Sequence, residues 1–470
     1  MELFEYNNDE LQQNINKFEK MINSNKNTYF DVYQFEEIID YYLETQKINK
    51  AIIATKIATN QHPSSNIIKL KKAQLLVETG KIDKALKILN FLEKVENKNV
   101  DIYFFKGLAY IKQHNNNKAI KYFELSLELS DEDETEDILQ IIAQIFQKNM
   151  DYKIAIKYLK KLIQINPFNS DAIYSLAMCY LEIFNYKNSE KYFNIYLDFD
   201  AFSKTAWLYL GESLKHQNKI NQAIKAYEYS IAIDPKFIYA YINKANILAD
   251  DKKIDQAIET YKDCLYYNSK NAKILTYLGE LYEEIKKYDK AIESYKKAID
   301  IDKNLAEAWF GIGIINYYKN DLFESLFFIK RALKIDPENP EFLFYLGKLN
   351  EKLGFYNDAI DAYILSDKIF PNQDETKIAL ANIFTKNNNT AEALKIIKDI
   401  DVISNFYSDA LYILSANLYL NNDINESLKI FEQAIKENIN IADKYIDLFE
   451  NNEIINNRLQ NYKNKKINGK

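Results

Sequence analysis

The sequence predicts an all-α fold, a solenoid of about twelve helix-turn-helix repeats of 34 residues. Three observations carry that expectation. The stretch from Lys204 to Asp234 holds Trp207, Leu210, Gly211 and Leu214, then Ile220, Ala223, Ile224, Tyr227 and Ile231. Both groups have helical spacing, and the polar residues 215–219 between them read as a turn. The same pattern returns at a fixed step, with repeat starts at Val32, Asn66, Val100, Glu136, Ser170, Lys204, Ile238, Ala272, Ala306, Pro340, Asp374 and Ser408. One two-residue slip interrupts the series, in the acidic run Asp131 to Asp137. A constant period of this length means stacked units that bury their apolar faces against each other.

The third observation is steric. Repeat position 20 is Ala51, Ala85, Ala119, Ala155, Ser189, Ala223, Ala257, Ala291, Ser325, Ala359, Ala393 and Ser427, always small. Position 8 is Gly, Ala or Ser in eleven of the twelve repeats, Ile39 being the exception. Helices that cross at ~8–10 Å need small side chains where they come closest. Glycine inside a helix costs ~0.5–1 kcal/mol against alanine. Its use at Gly107, Gly211, Gly279, Gly313 and Gly347 therefore implies a packing reason.

These residues resemble the tetratricopeptide-repeat family, whose pattern is Trp, Leu, Gly, Tyr, Ala, Phe, Ala and Pro at positions 4, 7, 8, 11, 20, 24, 27 and 32. Residues 272–303 fit it through Leu275, Leu278, Gly279, Tyr282, Ala291, Tyr295 and Ala298, with Lys303 in place of the proline. Residues 306–337 fit it through Trp309, Gly313, Ala332 and Pro337. The resemblance covers about 410 of the 470 residues. It implies a right-handed α-solenoid whose first helices line a concave groove.

In chain order, residues 1–31 are expected to form an N-terminal capping helix, from Asp9 to about Asn23, through Leu11, Ile15, Phe18, Met21 and Ile22. Residues 32–441 are expected to form twelve tetratricopeptide repeats in one continuous solenoid, with Pro63, Pro167, Pro235, Pro337 and Pro371 closing repeats at position 32. The acidic run is read as a solvated turn before a helix N-terminus, where carboxylates are favourable. Residues 442–470 are expected to cover the far end through Tyr445, Leu448, Phe449, Ile454 and Leu459, then to fray into a basic tail with Lys463, Lys465, Lys466 and Lys470.

Composition narrows the function. The chain is 47% hydrophobic and 27% charged, with a formal net charge of −7. Arg331 and Arg458 are its arginines. A surface that reads nucleic acid needs clustered basic groups, so a nucleic-acid partner is not expected. No apolar run reaches the ~18 residues of a membrane span and no leader pattern is present, so no membrane insertion and a cytoplasmic location are expected. Cys179 and Cys264 sit in different repeats and read as core residues rather than a disulfide. His62, His114 and His216 are scattered among turns without ligand spacing. Gly311 and Gly313 form a lone GxG inside a helical segment, which makes no phosphate loop. Seven of nine glycines lie at repeat positions 8 or 15, leaving almost no special residues for chemistry. No catalytic residue, metal site or cofactor is expected, and the chain is read as no enzyme.

The resemblance implies a protein-interaction scaffold or adaptor that binds a peptide or protein partner in its groove. Alternative roles are a structural subunit of a larger assembly, or a regulatory arm of a separately encoded enzyme. Groove positions carried over from the family are roughly 2, 5, 9 and 12. They give Tyr174, Met178, Leu208, Glu212, Ile242, Asn246, Thr276, Glu280, Phe310, Ile314, Phe344 and Lys348 as lining. Position 5 is never lysine, which argues against the clamp that some members use for terminal carboxylates. Position 2 is acidic in seven repeats, among them Glu307, Glu341, Glu375 and Asp409, which are expected to form an acidic groove edge. The expected ligand is therefore a basic and apolar segment.

Overall fold

The structure is a computed structural model that describes residues 2–24, 28–371, 373–449 and 452–468, with side chains at 10–24, 28–132, 134–371, 373–449 and 452–464. Among the described residues it is all-α, with no strand. Helices follow in consecutive pairs, from Val32–Glu44 and Ile48–Gln61 at the start to Tyr407–Leu420 and Ile424–Asn438 at the end.

Each pair turns on one residue in the left-handed region. Among the described residues, positive φ occurs at Gln46, Gly80, His114, Met150, Phe184, Asn218, Lys252, Lys286, Asn320, Gly354, Asn388 and Asn422. Every one is position 15 of its repeat, so the backbone keeps the twelvefold register read from the side chains. The starts of the first helices are fixed by short polar side chains. Ser65, Asn99, Asn169, Ser203, Asn271 and Asn339 each accept a hydrogen bond from a backbone N–H two or three residues on. Asp31 forms a full capping box with Gln34. Repeats are also tied to their predecessors through position 4. Trp309 donates its indole N–H to the Lys303 carbonyl at 3.0 Å, Trp207 to Ala201 at 2.9 Å, and the Tyr103 hydroxyl donates to Asn97 at 3.0 Å. In each case the acceptor is position 32 of the repeat before, a carbonyl the finished helix leaves without a partner.

Glycine at position 8 has the packing reason the sequence implied. A Cβ on Gly107 would stand 2.4 Å from the Phe123 ring. On Gly279 it would stand 2.5 Å from Tyr295, and on Gly347 2.5 Å from Tyr363. The aromatic at position 24 lies flat on the glycine of the facing helix, and Tyr295 and Tyr363 are completely buried there.

The chain divides into two compact units, Met1–Gln217 and Asn218–Lys470. The boundary falls in the turn of the repeat that starts at Lys204. In the first unit the helix Glu2–Ser24, longer than the expected Asp9 start, packs Ile15, Phe18 and Met21 on Phe30, Phe35, Ile38 and Tyr42. The slip at the acidic run is absorbed by lengthening one helix. Glu132–Lys148 has 17 residues where the other first helices mostly have 13, with Asp131 capping the Glu134 N–H at 2.9 Å. The acids from Glu132 on thus stand in a helical first turn rather than in a turn before it, where their charge suits the helix dipole.

In the second unit one repeat departs from the pattern. Its second helix, Thr390–Ile397, is only 8 residues long. Beyond it Asp401 accepts from the Ile403 N–H, and Ser404 donates to Asp374 at 2.5 Å. Short polar side chains here offer the backbone partners that compete with a helix. At the far end Tyr445 stacks on Tyr412 at 5.7 Å and Phe449 meets Phe431 at 5.4 Å. The last helix, Glu453–Asn468, buries Ile455 and Leu459, whereas Ile454 is 52% exposed, one residue out of the expected register. Lys463 lies on that helix and pairs with Asp443 at 2.7 Å, so it is not frayed. Lys470 and the side chains of Lys465 and Lys466 fall outside the described residues. Cys179 and Cys264 are buried free thiols, both pushed up to about 11 by desolvation.

Two substitutions probe this frame. Alanine normally improves a helix over glycine, but Gly279→Ala is expected to destabilise by ~1–3 kcal/mol, because the added Cβ would overlap the buried Tyr295 ring and force it from its place between Gly279 and Gly311. A higher urea midpoint for this variant would contradict the contact. Met150 holds φ 61° with its side chain 73% exposed. Met150→Gly is expected to raise stability by ~0.5–1 kcal/mol by relieving the left-handed strain, read as an upward shift of the thermal midpoint.

Candidate functional site

The site lies in the second unit, where first helices Ala272–Glu284, Ala306–Tyr318 and Pro340–Lys352 stand side by side. A cavity of about 740 Å³ opens between them. Glu280, Glu307, Phe310, Ile314 and Glu341 line it, five of the residues the repeat position assigned to the groove. Tyr345, Phe342, Tyr318 and Tyr295 complete the aromatic wall, with Glu283, Glu284, Lys286, Tyr288 and Gly311 around them. Phe310 stacks on Phe342 at 4.4 Å between ring centroids and meets Tyr345 edge-on at 5.5 Å.

Gly311 lies in the wall of the cavity. This is repeat position 6, where the neighbouring repeats carry Tyr277 and Tyr345. A Cβ at Gly311 would come within 2.4 Å of the Tyr295 ring. Tyr295 therefore lies between Gly279 and Gly311, and its hydroxyl donates to Glu283 at 3.0 Å. Where the repeat before sets Tyr277 on the ring of Tyr261, this one sets bare backbone against Tyr295.

The acids here lack counter-ions. Among the described residues, Glu280, Glu307 and Glu341 have no lysine or arginine within ion-pair distance. The Glu280 carboxyl is pushed up to about 7, first by desolvation and then by the charges of Glu283, Glu307 and Glu341. It stays open to the groove, so water screens part of this push. Burial also raises Glu341 and Glu283, the latter opposed by the hydrogen bond from Tyr295.

The remaining expected residues lie apart from the cavity. Phe344 is buried beside it, with the Lys348 ammonium 4.3 Å from its ring centroid. Lys348 pairs with Glu375 at 2.9 Å, so that edge acid is already neutralised. Asp409 is only 8% exposed and is held by the Tyr445 hydroxyl and by Lys444 at 2.8 Å. It anchors the end of the stack rather than standing free on a groove edge. Thr276 is buried, its hydroxyl donating to the Ala272 carbonyl at 3.1 Å. Ile242 is half-buried, and the exposed Asn246 accepts from the Tyr261 hydroxyl at 3.2 Å. In the first unit Tyr174 sits edge-on to Tyr196 at 5.0 Å, Met178 and Glu212 are half-buried, and Leu208 is buried. An even acidic stripe is therefore not what the structure contains. In the second unit, the groove acids without a lysine or arginine partner gather at one cavity.

Sequence reasoning missed Tyr345 and Phe342. Tyr345, at position 6, reaches back to positions 5 and 12 of the preceding repeat, Phe310 and Tyr317. Lys71, also at position 6, reaches back in the same way to Glu36 and Asp40 in the first unit. In these two repeats position 6 meets groove residues of the repeat before, whereas Tyr209 and Tyr277 at the same position lie on the position-24 rings of Phe193 and Tyr261.

The tetratricopeptide-repeat family matches residues 205–236, 238–271 and 284–320. The first two begin within one residue of the repeat starts at Lys204 and Ile238. The chain is a tetratricopeptide-repeat protein. Two further families match its first half: Iml2/Tetratricopeptide repeat protein 39 over residues 26–136, and anaphase-promoting complex, cyclosome, subunit 3 over residues 112–194. A search of curated proteins finds no match. Similar solved structures include the APC/C hetero-tetramer Cut9–Hcn1, at 16% identity and TM-score 0.40, covering 91% of this chain and 95% of that one. A second is the C-terminal part of a TPR repeat-containing protein from Cytophaga hutchinsonii, at 19% identity and TM-score 0.43, covering 51% of this chain and 98% of that one. A third is PilF of Pseudomonas aeruginosa, at 17% identity and TM-score 0.38, covering 42% of this chain and 89% of that one. These scores are low, and the assignment rests on the repeat matches. The repeat family supports a protein-interaction scaffold. Among the described residues, no helix is long and apolar enough to cross a membrane.

The raised Glu280 carboxyl has a stability consequence. Between its ordinary value and about 7 the folded chain holds a proton that the unfolded chain has released, so stability falls as pH rises through that window. Glu280→Gln removes the charge. The variant is expected to be more stable than the parent at about pH 8, with the gap closing at about pH 5, where the parent is also neutral. Urea midpoints at both values check this, and a gap independent of pH would contradict it.

Proposed function

We propose that this tetratricopeptide-repeat protein is a non-enzymatic scaffold that holds an extended partner segment in the groove of its second unit, and that the segment is basic and apolar. The observation that supports this is the cavity between residues 272 and 352, with aromatic walls and carboxylates that, among the described residues, no lysine or arginine neutralises. An acidic tail would meet repulsion there. A basic one would supply the missing charge, while leucine or phenylalanine side chains would cover Phe310, Ile314 and Tyr345.

The test uses a labelled twelve-residue peptide alternating lysine with leucine and phenylalanine, beside a version with glutamate for lysine. The lysine peptide is expected to bind more tightly, and its affinity to fall with added salt because the groove charges are solvent-facing. Glu307→Lys with Glu341→Lys should weaken it by about tenfold or more. Glu375→Lys should do so less, since Glu375 is already paired with Lys348. Preference for the glutamate peptide, or unchanged binding by the doubly reversed chain, refutes the proposal.

A further inference from the structure

The cavity supports a finer reading, which rests on the groove function just proposed. Five glutamates line it, none paired with a lysine or arginine among the described residues, and three of them, Glu280, Glu307 and Glu341, come from three successive repeats but open onto one space. On one side the groove is internally neutralised, by Lys348 with Glu375 and by Lys386 with Glu351 at 2.9 Å each. On the other side the expected lining is Ile242, Asn246 and Thr276, without charge. Within the groove of the second unit, uncompensated negative charge is thus gathered at this cavity. Lys286, on the rim, is the cation in its lining and pairs with none of these acids.

The rings of the same groove already seat cations where the chain has lysines to offer. The Lys352 ammonium stands 3.8 Å from the Tyr317 ring centroid, and Lys348 stands 5.3 Å from that of Tyr345. The cavity itself, at about 740 Å³, falls in the range of sites that enclose a discrete group rather than a flat strip of contact. Gly311 is part of its wall, with the Tyr295 ring held against the bare backbone there.

We infer that the cavity is a socket for one cationic side chain of the partner segment, a lysine or arginine, whose stem lies along Phe310 and Tyr345 and whose head stands among Glu280, Glu307 and Glu341. Apolar stem against ring and charged head against carboxylate is how long basic side chains divide their surface. The socket fixes the register of the segment, because carboxylates of three successive repeats converge on this one space. The rest of the groove then contributes apolar contact.

The experiment separates a socket from a diffuse field. Four labelled twelve-residue peptides share one leucine, phenylalanine and serine background and carry zero, one, two or three lysines. A socket gives most of the gain from the first lysine, about tenfold or more, while the second and third add about twofold or less each. A diffuse field gives equal increments. In the chain carrying Glu280→Gln and Glu341→Gln, both exposed and tolerant positions, the first-lysine gain is expected to shrink to about threefold or less. It should persist in the parent at ~0.5 M salt, where the longer-range contribution is screened. Equal increments, or a first-lysine gain untouched by the double variant, overturn the socket and leave the groove proposal standing. No gain from any number of lysines overturns both.

Discussion

Everything in this protein depends on how closely the two helices of a repeat approach. That distance is set by a small residue at position 20 and by a bare or nearly bare backbone at position 8. Where position 8 is glycine, position 24 can be a phenylalanine or tyrosine lying flat across it, as Phe123, Tyr295 and Tyr363 do. The ring brings the aromatic area of a large core residue into a gap that would otherwise need several smaller ones. It also carries a hydroxyl to the opposite side of the helix pair. Tyr295 and Tyr363 use theirs to hold Glu283 and Glu351, both at position 12. The packing constraint and the polarity of the groove are thus set by the same residue.

Such repetition makes the fold legible. A turn that recurs at position 15 needs a left-handed residue in every repeat, and glycine or asparagine there is only the visible part of the rule. Phe184 and Met150 occupy the same backbone state with the wrong chemistry for it, because the helices on either side determine the turn. Elements departed from expectation where local polar chemistry outvoted the period. The acidic run became helix because Asp131 capped it early. The helix after Thr390 stopped short because Asp401 and Ser404 found other partners. At the far end Ile455 rather than Ile454 turned inward, a change of one residue that rotates a helix face by ~100° and that no period constrains outside the repeats.

The candidate site was legible in part, and for a different reason. Assigning positions 2, 5, 9 and 12 to the groove singled out Glu280, Glu307, Phe310, Ile314 and Glu341, which line one cavity in the structure. What it could not do was say which acids are free. Freedom is decided by the facing repeat, through positions 6, 9 and 13, where Lys71, Lys348 and Lys386 meet the acids near them. Asp409 looks like its counterparts in the sequence, yet a tyrosine and a lysine from the closing segment claim it.

Gly311 shows how the two levels meet. The period explains nearly every glycine in the chain by position 8 or 15, and Gly311 is one of the two it leaves over. Read as half of a GxG it suggests a phosphate loop, which a helix cannot make. Its meaning is subtractive. At position 6 Tyr209 and Tyr277 lie on the position-24 rings of the repeats before them, Phe193 and Tyr261. With no side chain at Gly311, the Tyr295 ring lies directly against its backbone, in the wall of the cavity where, among the described residues, Glu280 meets no lysine or arginine. In a repeat protein a residue that breaks the pattern costs packing in one unit and gains none in the others. Such a break stores an uncompensated surface, which is the property a binding site needs.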